Sequence, residues 1–208
     1  GSATPNDVIT TGAATGWTFF DLIQNAVDQY YYNQTDSGGQ RGGWRYDVAG
    51  SSSGSDNSTA QWPILVMIQA ERNWGVVVPQ TLKDELQLWL TYSQRTDGSF
   101  GYTDASTYGN PDIAKTCAGL QGYALLDSLR TASAPQLGVD FINNNWYTST
   151  FGSGRYGNFS GGFYANYGLK KAAELSIPPI EHFGSHNWYD DYAQYLIHNV
   201  SWGQQADG

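Results

Sequence analysis

The sequence has little charge, almost no sulfur and no long apolar run. Charged residues make up 14% of the 208, about half the usual share. Surface polarity therefore has to come from Asn, Gln, Ser, Thr and Gly. Basic residues are the scarcest kind, 10 against 19 acidic, giving a net charge of −9. No cluster of Lys and Arg exists to meet phosphates, which argues against nucleic acid and anionic membrane surfaces as partners. Cys117 is the single cysteine, so no intrachain disulfide can form. It lies in the apolar run TCAGLQGYALL and reads as a small buried hydrophobe. No stretch approaches the roughly 20 apolar residues of a membrane span. No secretory leader is visible, and Gly1-Ser2 reads as a tag remnant or a processed start.

What is abundant points elsewhere. Aromatics reach 15%, with 15 Tyr and 8 Trp, and glycine numbers 25. Low charge with much Tyr, Asn, Ser and Gly is more typical of exported proteins, so the expected location is extracellular or at the cell surface. The length suits one domain with a sizeable core.

The apolar spacing along the chain is mainly helical. Residues 1–16 are small and polar and read as a flexible lead-in. WTFFDLIQNAVDQYYY follows with Phe19, Ile23, Ala26, Val27 and Tyr30 at helical intervals. After a Gly/Ser-rich loop, NSTAQWPILVMIQAERN is apolar on nearly every face, as a helix buried all round would be. Asp56 or Ser58 is placed to cap it, and Pro63 fits only if it falls in the first turn. PQTLKDELQLWLTYSQ is amphipathic through Leu82, Leu86, Trp89 and Leu90. DIAKTCAGLQGYALLDSL is again apolar round most of its surface, with Asp112 as cap. A weaker amphipathic segment, PQLGVDFINNNWY, precedes the loop TSTFGSGRYGNFSGG. The last two helices expected are FYANYGLKKAAEL and NWYDDYAQYLIHN.

This is a repeat: an amphipathic helix, a Gly/aromatic loop, a buried helix. The loop landmarks are Gly43-Trp44, Gly98-Ser99-Phe100, Gly154-Arg155-Tyr156 and Asp207-Gly208, spaced by about 51 to 58 residues. A period of that size means stacked supersecondary units. The competing all-β reading rests on Asp-Gly and Gly-Gly turns among aromatics, but the apolar segments are too long for strands.

Short motifs within this repeat resemble a known superfamily. LTYSQRTDGSF fits the glutamine–tryptophan repeat of the squalene and hopene cyclases as Leu90-x3-Gln94-x3-Gly98-x-Phe100, with Phe where the family has Trp. GQQADG resembles the start of the same motif as Gln205-x-Asp207-Gly208. The helix opening Asp112-Ile-Ala-Lys115-Thr116-Cys117-Ala is similar to repeats of protein prenyltransferase β-subunits, and DNSTAQWPILVM looks like the same helix one repeat earlier. The similarity extends over roughly Trp17 to Gly208. It implies an all-α, α/α-toroid domain over residues 17–208, a partial ring of three to four helical hairpins ending inside a further repeat. It also implies that Gln94, Asp97, Gly98 and Phe100 tie outer to inner helices. An incomplete ring leads to the expectation of self-association or of a missing C-terminal part.

The catalytic signatures of that superfamily are not found. There is no D-x-D-D motif, and adjacent Asp190 and Asp191 point about 100° apart on a helix, poorly placed to share a proton. They read as a solvated helix N-terminus. The prenyltransferase zinc-ligand His position is Lys115. His182 and His186 with Glu181 form a weak metal candidate, since Gly184 and Pro178-Pro179 make a helix there doubtful. Calcium is a further option through Asp97, Asp104 and Asp112, although no EF-hand pattern is present. No nucleotide-binding glycine pattern follows a strand, and no G-x-S-x-G elbow occurs. The expectation is therefore no resident cofactor.

If the loops gather at one end, Trp44, Tyr46, Asp47, Phe100, Tyr102, Asp104, Arg155, Tyr156, Phe163 and Tyr164 would line a cleft suited to sugars. The plainer role for each alone is padding between repeats. Asn33, Asn57, Asn158 and Asn199 head Asn-x-Ser/Thr sequons. The leading expectation is a non-catalytic exported or cell-surface module for glycan or protein binding or self-assembly. The alternative is an enzyme of terpenoid cyclase-like or glycan-cleaving type.

Overall fold

The computed structural model describes residues 3–46, 54–106, 112–146 and 163–199. Among them are seven helices: α1 Phe19–Tyr32, α2 Asn57–Trp74, α3 Gln80–Ser93, α4 Ile113–Leu125, α5 Ser133–Asn144, α6 Phe163–Leu175 and α7 Trp188–Asn199. The only strands among the described residues are β1 His182–Phe183 and β2 His186–Asn187, an antiparallel pair. The chain is all-α.

Local chemistry sets the helix ends. Thr18 and Asp21 form a capping box on α1, each side chain accepting from the other's backbone N–H. Asp56 accepts from Thr59 N at 2.8 Å and Asp112 from Lys115 N at 2.9 Å, so both buried-type helices start on an aspartate cap. Gly75, with φ of 68°, stops α2. Pro63 is a correction to the sequence reading. It lies in the second turn of α2, not the first, and α2 runs through it. Packing of Pro63 and its neighbours Ile64 and Leu65 offsets the lost backbone hydrogen bond. His182 and His186 lie on the short hairpin, with Gly184 at positive φ in its turn.

α4 is the centre of the molecule. All 13 of its residues are buried, and it packs most extensively against α2 and α6. Its C-terminal part joins a core built from α2, α3, Trp44 and Phe100. Its N-terminal part joins a second core with α5, α6, Trp146, Phe183 and Trp188. α2, α4 and α6 run parallel and level. At one end Gln61 of α2 donates to the Tyr164 hydroxyl of α6. At the other, Arg72 of α2 donates to Ala124 O of α4 at 2.8 Å and to Leu175 O of α6 at 3.0 Å.

Two matching clasps join the amphipathic helices to this layer. Gln94, just after α3, donates through Nε2 to Ala134 O in the first turn of α5 at 2.8 Å, and to Gly98 O at 3.4 Å. Gln34, after α1, donates to Leu82 O in the first turn of α3 at 3.1 Å and to Gly42 O at 2.9 Å. Each loop closes with the same backbone exchange, Gly98 N to Arg95 O and Arg95 N to Ser99 O in one, Gly42 N to Thr35 O and Thr35 N to Gly43 O in the other. Gly42 and Gly98 have φ of 91° and 88°, and a Cβ on either would overlap a carbonyl oxygen of the next amphipathic helix, Glu85 or Leu137. Only glycine satisfies both demands. The aromatic that follows, Trp44 or Phe100, is buried, and its backbone pairs with the aspartate that caps the next helix. Phe100 lies so close over Gly119 of α4 that no side chain fits there. Tyr123 of α4 completes the second clasp by donating to Gln94 Oε1 at 2.7 Å.

Two expectations follow. Gly98→Ala should cost roughly 2–4 kcal/mol through φ strain and overlap with α5, lowering Tm by about 4–16 °C. Gly12 also has positive φ but nothing within 4 Å, so Gly12→Ala should cost much less in the same thermal melts. Burial pushes the Tyr123 phenol up from 10.0 to about 12. The unfolded chain then ionises first, so this contribution to stability is complete below pH 10 and lost as pH rises towards 12. Urea midpoints measured across that window should fall less steeply for Tyr123→Phe than for the native chain.

Candidate functional site

The loop ends of α2, α4 and α6 gather most of the polar chemistry. Asp56 Oδ1 accepts from Thr59 N and from Ser58 Oγ at 2.6 Å, its Oδ2 accepts from Thr59 Oγ1 at 3.1 Å, and Arg45 Nε stands 3.9 Å away. Asp112 Oδ2 pairs with Lys115 Nζ at 2.7 Å, both groups buried, and the ammonium also lies 5.5 Å from the centre of the Tyr102 ring. Ser58 Oγ, its proton given to Asp56, accepts from the Tyr102 hydroxyl at 3.2 Å, and the Tyr164 hydroxyl donates to Ser58 O at 3.2 Å. Burial drives the Tyr164 phenol well above its ordinary range, helped by the nearby Asp112, Tyr46 and Asp56 and opposed by the Gln61 hydrogen bond. Both carboxylates are fully occupied as caps and ion-pair partners. The cluster therefore has the chemistry of a structural keystone, with no carboxylate placed as acid, base or nucleophile.

An open feature lies beside it. A cleft of about 210 Å³ between α1, the first clasp and α2 is lined by Tyr30, Asn33, Arg45, Tyr46, Trp62 and Pro63, among others. Tyr46 is 75% exposed and Trp62 43%. Trp62 also faces Tyr164 at 6.5 Å and stacks on Tyr167 at 6.2 Å, which extends the aromatic row from α2 to α6. Asn33 donates to Gln29 O at 2.8 Å, while its buried Oδ1 finds no partner among the described residues. Flat apolar rings with a spare acceptor at the wall make a surface for a ligand with both apolar and hydroxylic faces.

The sequence-based candidates divide accordingly. Tyr46, Tyr102 and Tyr164 do come together at this end. Trp44 lines the same cleft from below, buried and with its Nε1 donating to Tyr30 O at 2.8 Å. Phe100 is a correction: it is fully buried beneath the second clasp and offers no ring face to a ligand. Phe163 is exposed at the start of α6. Asp104 is lowered from its ordinary value by the Ser106 hydroxyl and then by the Ser106 N–H, which donates to it at 2.6 Å. Asp47, Arg155 and Tyr156 lie outside the described residues. Trp62, Tyr30 and Arg45 were missed. Trp62 sits in a helix whose apolar residues cover almost every face, so periodicity does not single it out.

The metal candidates are engaged otherwise. Asp97 accepts from Ser99 N and Oγ, at 3.1 and 2.6 Å, and Asp112 holds Lys115. The His186 ring stacks on Trp146 at 5.1 Å. Asp190 and Asp191 lie in the first turn of α7: Asp190 is exposed there and accepts from Asn187 at 2.8 Å, while Asp191 is half-buried and accepts from Trp146 Nε1 at 2.9 Å. Among the described residues no group of three or more His, Cys, Asp or Glu is placed to hold a metal, and no helix is long and apolar enough to cross a membrane.

The Asn57 sequon is a further correction. Its side chain is 1% exposed, donating to Gly101 O at 2.8 Å and accepting from Trp89 Nε1 at 2.9 Å, so the folded chain offers no acceptor there. Asn158 and the Asn199 side chain lie outside the described residues. Cys117 is fully buried and burial raises its thiol far above the reactive range.

Compared with protein-family models, curated proteins and solved structures, the chain gives no match.

The keystone reading makes Asp112 asymmetric with its partner. Asp112→Ala removes both a cap and the carboxylate facing a buried ammonium, and should cost roughly 3–5 kcal/mol in urea denaturation. Adding Lys115→Met should restore about half of that loss or more. A double variant no more stable than the single would contradict it.

Proposed function

We propose that the chain is a non-catalytic helical-repeat module of the α/α-toroid type, exported or displayed at the cell surface, that binds glycan chains. The observation that carries the reading is the cleft beside the first clasp. Tyr46 and Trp62 project their rings at its mouth, and the Asn33 Oδ1 supplies an acceptor without a partner among the described residues. Pyranose rings present C–H faces that stack on such rings and hydroxyl edges that need polar partners. Arg45, beside the same cleft, adds donors for hydroxyl or carboxylate oxygens.

The toroid reading is supported by three level, parallel inner helices and by the clasps that join α1 to α3 and α3 to α5. The non-catalytic reading is supported by the state of two described carboxylates near the cleft. Asp56 and Asp112 are buried and held as helix caps. A retaining or inverting glycosidase needs two carboxyl groups facing one bond across about 5–9.5 Å. The module works without a resident metal, and in an assembly with further copies or repeats the aromatic rows of neighbouring units extend one another.

A panel of soluble oligosaccharides, titrated against intrinsic tryptophan fluorescence and by calorimetry, tests the reading. At least one should bind saturably. Trp62→Ala and Tyr46→Ala should each weaken it about tenfold or more, equal to about 1.4 kcal/mol, with the melting temperature little changed. No new reducing ends or unsaturated sugars should appear on long incubation. Binding that is indifferent to Trp62→Ala, or no binding across the panel, would refute the proposal.

A further inference from the structure

A second cleft, separate from the glycan cleft, lies between α6 and α7. It measures about 330 Å³, and its walls are almost entirely aromatic and aliphatic carbon. Trp188 and Tyr192 are buried and form its inner wall, while Tyr167 and Tyr189 are exposed at the rim. Lys170 also lines it and is paired with Glu174.

One residue does not belong in such a wall. Asn166 is 9% exposed, and among the described residues neither its Oδ1 nor its Nδ2 has a hydrogen-bond partner. Its neighbours in the second core show how unusual this is. Trp188 Nε1 donates to Ile180 O at 2.8 Å, and Trp146 Nε1 to Asp191 at 2.9 Å. A buried amide with both ends unmet is strongly unfavourable, and in a folded protein it calls for a missing partner. A carboxamide offers a donor and an acceptor side by side. Its complement is a group that presents an acceptor and a donor in the same way, which another primary carboxamide does.

We propose that the α6–α7 cleft binds a small apolar molecule carrying an amide group, with Asn166 pairing to the amide and the aromatic walls enclosing the apolar part. The size suits this: pockets for small ligands start at about 300 Å³ and combine mostly apolar walls with a few placed polar groups. The carbon-rich wall disfavours a ring covered in hydroxyls, which would lose its hydration without partners. This distinguishes the ligand from the glycan proposed for the first cleft. Tyr167 stands between the two clefts, stacked on Trp62 and lining the second, so it serves in neither test.

The probe is N-acetylphenylalanine amide, with methyl 3-phenylpropionate as a control of similar apolar bulk that has no N–H. Both are titrated against the native chain by ligand-observed NMR. The amide should bind at least tenfold tighter than the ester. Tyr189→Ala, a substitution at an exposed rim position, should weaken the amide several-fold and leave glycan binding unchanged. Asn166→Leu should abolish the preference for amide over ester and raise Tm, because it removes two unmet polar atoms. Equal binding of amide and ester, or binding of neither, would overturn the proposal. So would a fall in Tm for Asn166→Leu, since the amide would then have a partner inside the fold.

Discussion

The amide of a glutamine at the end of one outer helix reaches the first turn of the next, across a glycine that no other residue can replace. Gln34 does this from α1 to α3, and Gln94 from α3 to α5. Helix ends leave carbonyls and N–H groups unmet, and tertiary contacts have to meet them. Here the aspartate that closes each loop meets a first-turn N–H of the next buried helix, while the glutamine amide adds a second donor to a first-turn carbonyl of the next amphipathic helix. The positive φ of Gly42 and Gly98 turns the chain, the missing Cβ lets it press on the outer helix, and the aromatic behind it anchors the turn in the core. Each clasp ends at the aspartate that caps the next inner helix. The position of one outer helix is thereby tied to the start of one inner helix and to the outer helix after it.

The inner layer follows from this. α2 and α4 begin level because their starts are set by equivalent loops, and Arg72 spans the far ends of α2, α4 and α6. α4 can be buried along its whole length because small residues, Gly119 and Gly122 among them, let Phe100 and Leu90 approach it closely. The level starts crowd polar groups at one end of the layer. Caps and the Lys115 ion pair occupy the carboxylates there, and the aromatic rings beside them are left facing outward. The binding surface proposed for this end is therefore a by-product of how the repeat closes.

Much of the helical order was legible in the sequence. The i, i+4, i+7, i+8 pattern of Leu82, Leu86, Trp89 and Leu90 marks α3, and all four are buried. The second clasp was readable because Gln94 and Gly98 are four residues apart, as in a compact motif. The first was only half read. Gln34 and Gly42 are eight residues apart, and the longer loop hides the same geometry from a search by spacing. Site residues were harder. Trp44 and Phe100 have the composition of binding aromatics, but their place two residues after the clasp glycine buries them, Trp44 as the floor of the first cleft and Phe100 in the core. Trp62 looked like core and is exposed, because α2 faces solvent on one narrow stripe that periodicity cannot find in a uniformly apolar helix. The unmet amide of Asn166 depends on neighbours from two helices, and no local pattern announces it.

The central claim is that the loops of Gln34 and Gln94 are one device used twice, despite their different lengths. Urea denaturation of Gln34→Ala beside Gln94→Ala tests this directly. Each glutamine bridges two backbone carbonyls, so the account predicts comparable losses, roughly 1–3 kcal/mol apiece. A Gln34→Ala midpoint indistinguishable from that of the native chain, with Gln94→Ala destabilised, would contradict it.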